Sequence, residues 1–444
     1  MELKNGEIHD IISIDLEGGR FMLLEFTCSN HKSIGEKIVF STLAGKDNSH
    51  NKELILFERN RIVKSAVIYG ANGSGKSNLI DAISFVKNLV VQSIRHQPGD
   101  GIRQIPHKLL GIERDSEYTL QFVTKNVRYA YGFTLCKTLI VDEYLYYFPN
   151  GKQVKIFERS AEGYTEGNQF KGRFDSCKDV LKPNRLFLSC AANFSNVREV
   201  EASFRFFKDE LVIYSGLGID NWMEYSLRQM HENENIKKTA IRFMQSLDTG
   251  IKDIIIKIDQ KTLKESELPS FLSEEFKTIL VRKVTNSVTA KVVYDQFEVD
   301  LMSEESTGIR KLFEFICPMI DIVSNGKVLV CDELEANFHE SIMYGLVNLF
   351  RKLNRTPSAQ MIFTTHDTSV LSLDLFRRDQ IWFTELTRDT RETDLYSLAE
   401  IKNVRKDENI GKGYIAGKYG AIPMLNENLA NIIQEFSEEV ENGN

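Results

Sequence analysis

The sequence predicts an α/β fold, with strand and helix patterns alternating around one glycine-rich turn. Three stretches carry that reading. The apolar run at 66–69 leads into the glycine-rich turn and then a helix; the apolar run at 328–331 ends in two acids; the run at 361–364 ends in a polar cluster.

Residues 1–10 are polar and lack the apolar core of an export signal, so the cytoplasm is the expected compartment. Runs at 21–26, 37–40 and 65–69 read as short strands, a β-rich start. From Ser77 onward Leu79, Ile80, Ile83, Val86, Leu89, Val90 and Ile94 recur at three- and four-residue spacing, as an amphipathic helix requires. Strand-like alternation returns at 118–123, 129–135 and 139–148, punctuated by Lys125-Asn126 and Pro149-Asn150-Gly151. Between Asn196 and about Asp259 the chain is free of proline and rich in Glu, Lys, Met and Phe, which reads as a helical insertion. Strand runs resume at 292–294, 328–331, 361–364 and 380–383, separated by helical patterns at 307–323 and 339–353. The expected organisation is an N-terminal β-rich lobe over 1–195, a mainly helical insertion over 196–285, a C-terminal α/β lobe over 286–424 and an acidic tail over 425–444.

Composition narrows the class. With 42% hydrophobic and 27% charged residues the chain reads as an ordinary globular protein. Its apolar runs fall far short of the ~20 residues that span a bilayer, so no membrane partner is expected. Six cysteines are scattered without a C-x-x-C pair, against a disulfide frame or zinc site. The formal charge of −7 gives no long-range attraction to DNA, although a local basic groove is compatible with it.

Gly70-Ala71-Asn72-Gly73-Ser74-Gly75-Lys76-Ser77 fits G-x-x-x-x-G-K-[ST] at every fixed position and sits between a strand and a helix. In that setting successive backbone N–H groups and a helix N-terminus face an anion, and glycine lets the backbone approach it. Gly70, Asn72, Gly73, Ser74, Gly75 and Lys76, with Asn78 just beyond, are the expected nucleotide contacts, and Ser77 is an expected Mg²⁺ ligand. The acids after 328–331 suit the second half of such a site: Asp332 for the metal shell and Glu333 to polarise the attacking water. His366, after 361–364, reads either as a contact to the γ-phosphate or as a structural histidine. Ser306, before an apolar-periodic helix, is well placed as an N-cap; alternatively Ser306 and Gly308 present a hydroxyl and an N–H to a nucleotide on another subunit.

The order of these pieces, with 26 residues from Ser306 to Asp332 and 34 from Asp332 to His366, resembles the ABC-type ATPases of the SMC, Rad50 and RecF group. Within that group the chain looks most like the AAA15-type (RloA-like) ATPases of bacterial anti-phage and abortive-infection systems, to which the PARIS ATPase is related. The likeness is carried by Leu23-Leu24-Glu25-Phe26, Asn30-His31-Lys32-Ser33, the strand into the glycine-rich turn, Leu186-Phe187-Leu188-Ser189, the stretch at 375–383 and the stretch at 414–423. It implies a homodimer, or a higher oligomer, with ATP and Mg²⁺ sandwiched between one subunit's phosphate loop and the other's signature. It also implies that Lys32 reaches the nucleotide, although His31 stands where an aromatic is usual. The signature departs from LSGGQ, only Ser306 and Gly308 corresponding, which points to slow turnover. Leu334-Glu335-Ala336-Asn337 stands at the D-loop, and Gln121 is the candidate Q-loop metal ligand. As the pattern begins at Leu23, a chain starting at Met22 is expected to fold and bind ATP.

Two functions fit. One is the sensor ATPase of an anti-phage defence operon, controlling a separate effector such as a TOPRIM-type nuclease and triggered by a phage protein. With 78 residues after His366 and no D-x-D sequence, a fused nuclease is expected to be missing. The other is a DNA-repair ATPase of RecF or Rad50 type that clamps duplex DNA, whose binding would be strongly salt-sensitive.

Overall fold

The computed structural model describes residues 19–215, 222–262, 284–336, 338–352 and 359–422. Most of residues 1–21, the D-loop Asn337 and the tail at 425–444 lie outside them. Two sheets organise the molecule. A seven-stranded antiparallel sheet runs in the spatial order Gly163–Glu166, Val154–Ser160, Leu139–Phe148, Val127–Cys136, Ser116–Thr124, Met22–Cys28 and Ile38–Ser41. A six-stranded sheet runs Leu211–Tyr214, Val328–Cys331, Gln360–Thr364, Ser65–Gly70, Ile381–Leu386 and Thr393–Ser397; the first five strands are parallel and the last antiparallel.

The second sheet is buried on both faces, so its strands read as unbroken apolar runs rather than alternating ones. Ala66, Ile68, Val328, Val330 and Ile362 point into one core, where Leu79, Ile83 and Val86 of the helix Lys76–Gln92 meet Phe122 and Tyr131 of the antiparallel sheet. Val67, Tyr69, Leu329, Cys331, Met361 and Phe363 point the other way, onto Phe315 and Met319 of the helix Thr307–Asn325 and Met343 and Val347 of the helix Glu340–Lys352. The helix that follows the glycine-rich turn is thus clamped between the two sheets. One buried amide stitches them together: Gln360 accepts the Leu23 N–H at 2.9 Å and donates to the Val63 carbonyl at 3.0 Å.

The segment expected as a mainly helical insertion is mixed. Helices Arg198–Arg205, Trp222–Glu232 and Glu234–Ser246 are present, but Leu211–Tyr214 is a strand of the six-stranded sheet, paired in parallel with Val328–Cys331. A second departure is the three-stranded sheet of Asp253–Thr262, Val284–Val293 and Glu298–Asp300. Ile254 and Val292, Ala290 and Leu301 fill a third core with Leu227, Met230 and Met244 of the helices. Isoleucine, valine and threonine recur along Asp253–Thr262 and Val284–Val293, side chains that fit a pleated, half-buried surface. Among the described residues no helix is long and apolar enough to cross a membrane.

Candidate functional site

The glycine-rich turn sits at the C-terminal edge of the parallel sheet, where strand Ser65–Gly70 hands over to the helix Lys76–Gln92. Gly73 and Gly75 take positive φ, 76° and 109°, which curls the backbone into a loop closed by Ser74 N–H to the Ala71 carbonyl at 3.1 Å. Asn72 and Gly73 are exposed at its crest, whereas Ser74, Gly75 and Lys76 are buried. The Lys76 ammonium folds back on the loop and donates to the Gly70 and Ala71 carbonyls at 2.8 and 3.1 Å. Burial pushes its pKa down to about 8, while Asp332, Glu335 and Glu333 pull upward. A polyphosphate in the loop would restore the full charge, since an opposite charge nearby favours the charged form. The loop, its lysine and the exposed Ser77 therefore suit a nucleotide triphosphate with its metal.

The acid pair lies two strands away. Strand Gln360–Thr364 runs between Val328–Cys331 and Ser65–Gly70, and its last residue organises the acids. The Thr364 hydroxyl donates to Asp332 Oδ1 at 2.6 Å and accepts the Glu333 N–H at 2.8 Å. Glu333 has φ 48°, a left-handed conformation that costs a non-glycine residue about 1–3 kcal/mol and recurs at functional sites. Asp332 is thereby held by one carboxylate oxygen at the strand end, a donor of the type that suits Mg²⁺, and Glu333 is left exposed. His366 is also exposed, two residues past Thr364. Burial and Lys76 push its imidazole pKa down, against Glu335, Glu333 and Asp332. Lys76, Asp332, Glu333 and His366 thus occupy one neighbourhood, as their spacing in the sequence led us to expect.

Three expected contacts are engaged elsewhere. Lys32 Nζ pairs with Asp81 of the phosphate-loop helix at 2.8 Å, beside His31, whose ring nitrogens meet Asp81 and Tyr118 at 2.9 Å each. Asn78 donates its amide to Ser33 Oγ at 2.6 Å. Gln121 faces Glu25 and Arg128 on the antiparallel sheet, at 3.2 and 3.4 Å; among the described residues it makes no hydrogen bond to Ser77 or Asp332. Each of these polar groups found a nearer partner across a sheet or helix than the nucleotide cradle. Ser306 is the N-cap expected of it, accepting the Ile309 N–H at 3.3 Å, and it is exposed, with Gly308 half-buried beside it.

The structure adds residues that motif reading passed over. Besides Thr364, Thr384 shares a 2.6 Å hydrogen bond with Ser74, and Thr393 donates to the Ser74 carbonyl at 3.0 Å. They hold the glycine-rich turn from the neighbouring strands. Threonines in or beside apolar runs were the only signal in the sequence.

Fold and site define a class: a P-loop nucleotide-binding protein with a Walker B acid pair. Residues 65–372 match the sequence profile of a family described as "AAA domain, putative AbiEii toxin, Type IV TA system". The chain belongs to that family. No curated protein matches it. Among solved structures, it is similar to an SMC head bound to the C-terminal winged-helix domain of ScpA, with 15% identity, 85% of this chain and 99% of that one covered, and a TM-score of 0.40. An SMC head domain from Thermotoga maritima gives 14% identity, coverage of 84% and 98%, and a TM-score of 0.35. An Smc head with an extended coiled coil, bound to the C-terminal domain of ScpA and derived from Pyrococcus furiosus, gives 12%, 86% and 97%, and 0.39.

Proposed function

We propose that this chain is a slow, Mg²⁺-dependent ATPase of the ABC class, whose nucleotide-bound dimer regulates a separate effector in an anti-phage defence system. The observation that carries the hydrolytic part is the Thr364 hydroxyl, which binds Asp332 and Glu333 together on the strand next to the one that ends in the phosphate loop. Loop amides and Lys76 hold the β- and γ-phosphates, Ser77 and Asp332 hold the metal, and Glu333 orients the attacking water. Bound Mg²⁺ supplies neutralisation of the charge that develops on the phosphoryl oxygens. The effector rests on the family description and on the likeness to defence ATPases. Its chemistry is that of a protein partner, a nuclease or toxin encoded beside this chain and released by a phage protein.

The test is a pair of variants assayed for ATP affinity and for phosphate release. Glu333→Gln should keep ATP binding within about threefold and lower turnover by about 100-fold or more, because only the water-orienting carboxylate is lost. Lys76→Ala should weaken binding itself by at least about tenfold, roughly 1.4 kcal/mol. Wild-type turnover in the glutamine variant would overturn the assignment. Co-purification of the adjacent gene product with the unaltered chain, and its loss in Lys76→Ala, tests the effector.

A further inference from the structure

The turn after the Walker B strand carries a carboxylate that the mechanism above does not employ. Glu335 Oε1 accepts the backbone N–H of His366 at 2.6 Å. Its Oε2 is shut off from solvent and has no hydrogen-bond partner among the described residues. The main chain on either side is tightly held: Leu334 N–H bonds the Thr364 carbonyl at 3.1 Å, Ala336 N–H the Glu333 carbonyl at 2.9 Å, and Phe338 N–H the Glu335 carbonyl at 2.9 Å. The turn that presents Glu333 is therefore joined to the strand end at Thr364 through the Leu334 N–H and the Thr364 hydroxyl, and to His366 itself through the Glu335 side chain.

A carboxylate oxygen sealed from water without a donor is destabilising, because nothing replaces the water it has lost. A latch on one amide would be met equally well by a glutamine, whose side-chain oxygen accepts the same bond without burying charge. The charge therefore needs a reason, and the surroundings supply one. The charges that act on the His366 imidazole are Lys76 from the phosphate loop, Asp332 and Glu333 from the Walker B turn, and Glu335. Lys76 disfavours a protonated imidazole, and Glu335, first among the three carboxylates, offsets it.

We propose that Glu335 is a positioning residue of the hydrolytic site: it pins the main chain of His366 to the Walker B turn and so sets where the imidazole stands beside the phosphate cradle. The inference rests on the ATPase reading above. It makes the acid pair, the histidine and the loop that follows Asp332 one mechanical unit, so that movement of that loop displaces His366.

The test uses Glu335→Gln and Glu335→Ala in the full chain. Glu335→Ala should lower kcat by at least about tenfold while affinity for a fluorescent ATP analogue stays within about threefold, since the phosphate loop is untouched. Glu335→Gln, near-isosteric and able to keep the amide bond, guards against a folding defect and should fall between the alanine variant and the unaltered chain. The second readout needs no nucleotide: in protein labelled with ¹⁵N-histidine, the His366 amide resonance should move in Glu335→Ala. The His366 imidazole should titrate at lower pH in both variants, because a charge that favours its protonated form is gone. Unaltered kcat in Glu335→Ala, or His366 resonances that do not respond, overturns the proposal. Absence of turnover in the unaltered chain would instead overturn the ATPase reading, and the NMR arm would still decide whether Glu335 holds His366.

Discussion

Gly75 is the residue of the phosphate loop with the least freedom to change. Its φ of 109° suits glycine alone, and a Cβ there would stand 2.0 Å from Thr393 Oγ1. Gly73, also at positive φ, has nothing within 4 Å of where its Cβ would be. Gly75→Ala should therefore displace the Thr393 strand from the loop, cost about 2–3 kcal/mol of stability and weaken ATP binding at least tenfold. Gly73→Ala should cost about 1 kcal/mol from backbone strain alone. Thermal unfolding and ATP titration of the pair check this, and equal effects would mean that the Thr393 contact is immaterial. At this scale the sequence revealed what is local along the chain. The glycine-rich turn and the neighbourhood of Lys76, Asp332 and Glu333 are legible because they follow from a fixed spacing and a strand end. Lys32 and Asn78, expected at the nucleotide, and Gln121, expected at the metal, are engaged by Asp81, Ser33 and Glu25 through packing that no spacing encodes. Thr364 went unread for the same reason: its partners stand 31 and 32 positions away.

The stretch Leu186-Phe187-Leu188-Ser189 entered as a sequence resemblance with no physical role, and the structure supplies one. Its helix, Phe187–Phe194, begins after an extended Leu186 with no side-chain cap of its own. The cap comes from another element: Glu143, fully buried on strand Leu139–Phe148, accepts the N–H groups of Phe187 and Leu188, the Tyr131 hydroxyl at 3.0 Å and an ion pair from Arg159 at 3.5 Å. Burial pushes the Glu143 carboxyl up, and Arg159 with the two amides holds it back. Removing one partner of such a cluster strands the others in an apolar core, so Glu143→Ala should cost about 3–5 kcal/mol. A urea unfolding midpoint that barely moves would show that the helix is anchored by its phenylalanines alone. Elements were legible where the hydrophobic period was long, as in Lys76–Gln92 and Thr307–Asn325. The exception is Leu211–Tyr214: its four residues reveal no period, it lacks the acid pair that marks the equally short Val328–Cys331, and only its parallel pairing with that strand makes it one.

The helix Thr307–Asn325 joins two of the molecule's cores. Phe315, Met319 and Ile322 lie in the core under the Walker B strand, whereas Leu312, Phe313, Ile316 and Cys317 lie in the core of the inserted sheet and helices. Its N-terminus carries the exposed Ser306 turn, which is thus continuous with a helix packed in both. A nucleotide held by a second copy is the partner our functional reading assigns to it, and this sets the last prediction. In a Glu333→Gln background, where ATP is bound but not cleaved, ATP should double the mass seen by light scattering. Adding Ser306→Arg should abolish that doubling while leaving ATP affinity within about threefold, because the phosphate loop of the same subunit is untouched. Loss of the N-cap alone costs about 1 kcal/mol, so Ser306→Ala is the control that separates a weakened helix from an obstructed surface. If the arginine variant doubles its mass as readily as the alanine one, the subunits meet elsewhere and Ser306 is a cap and nothing more.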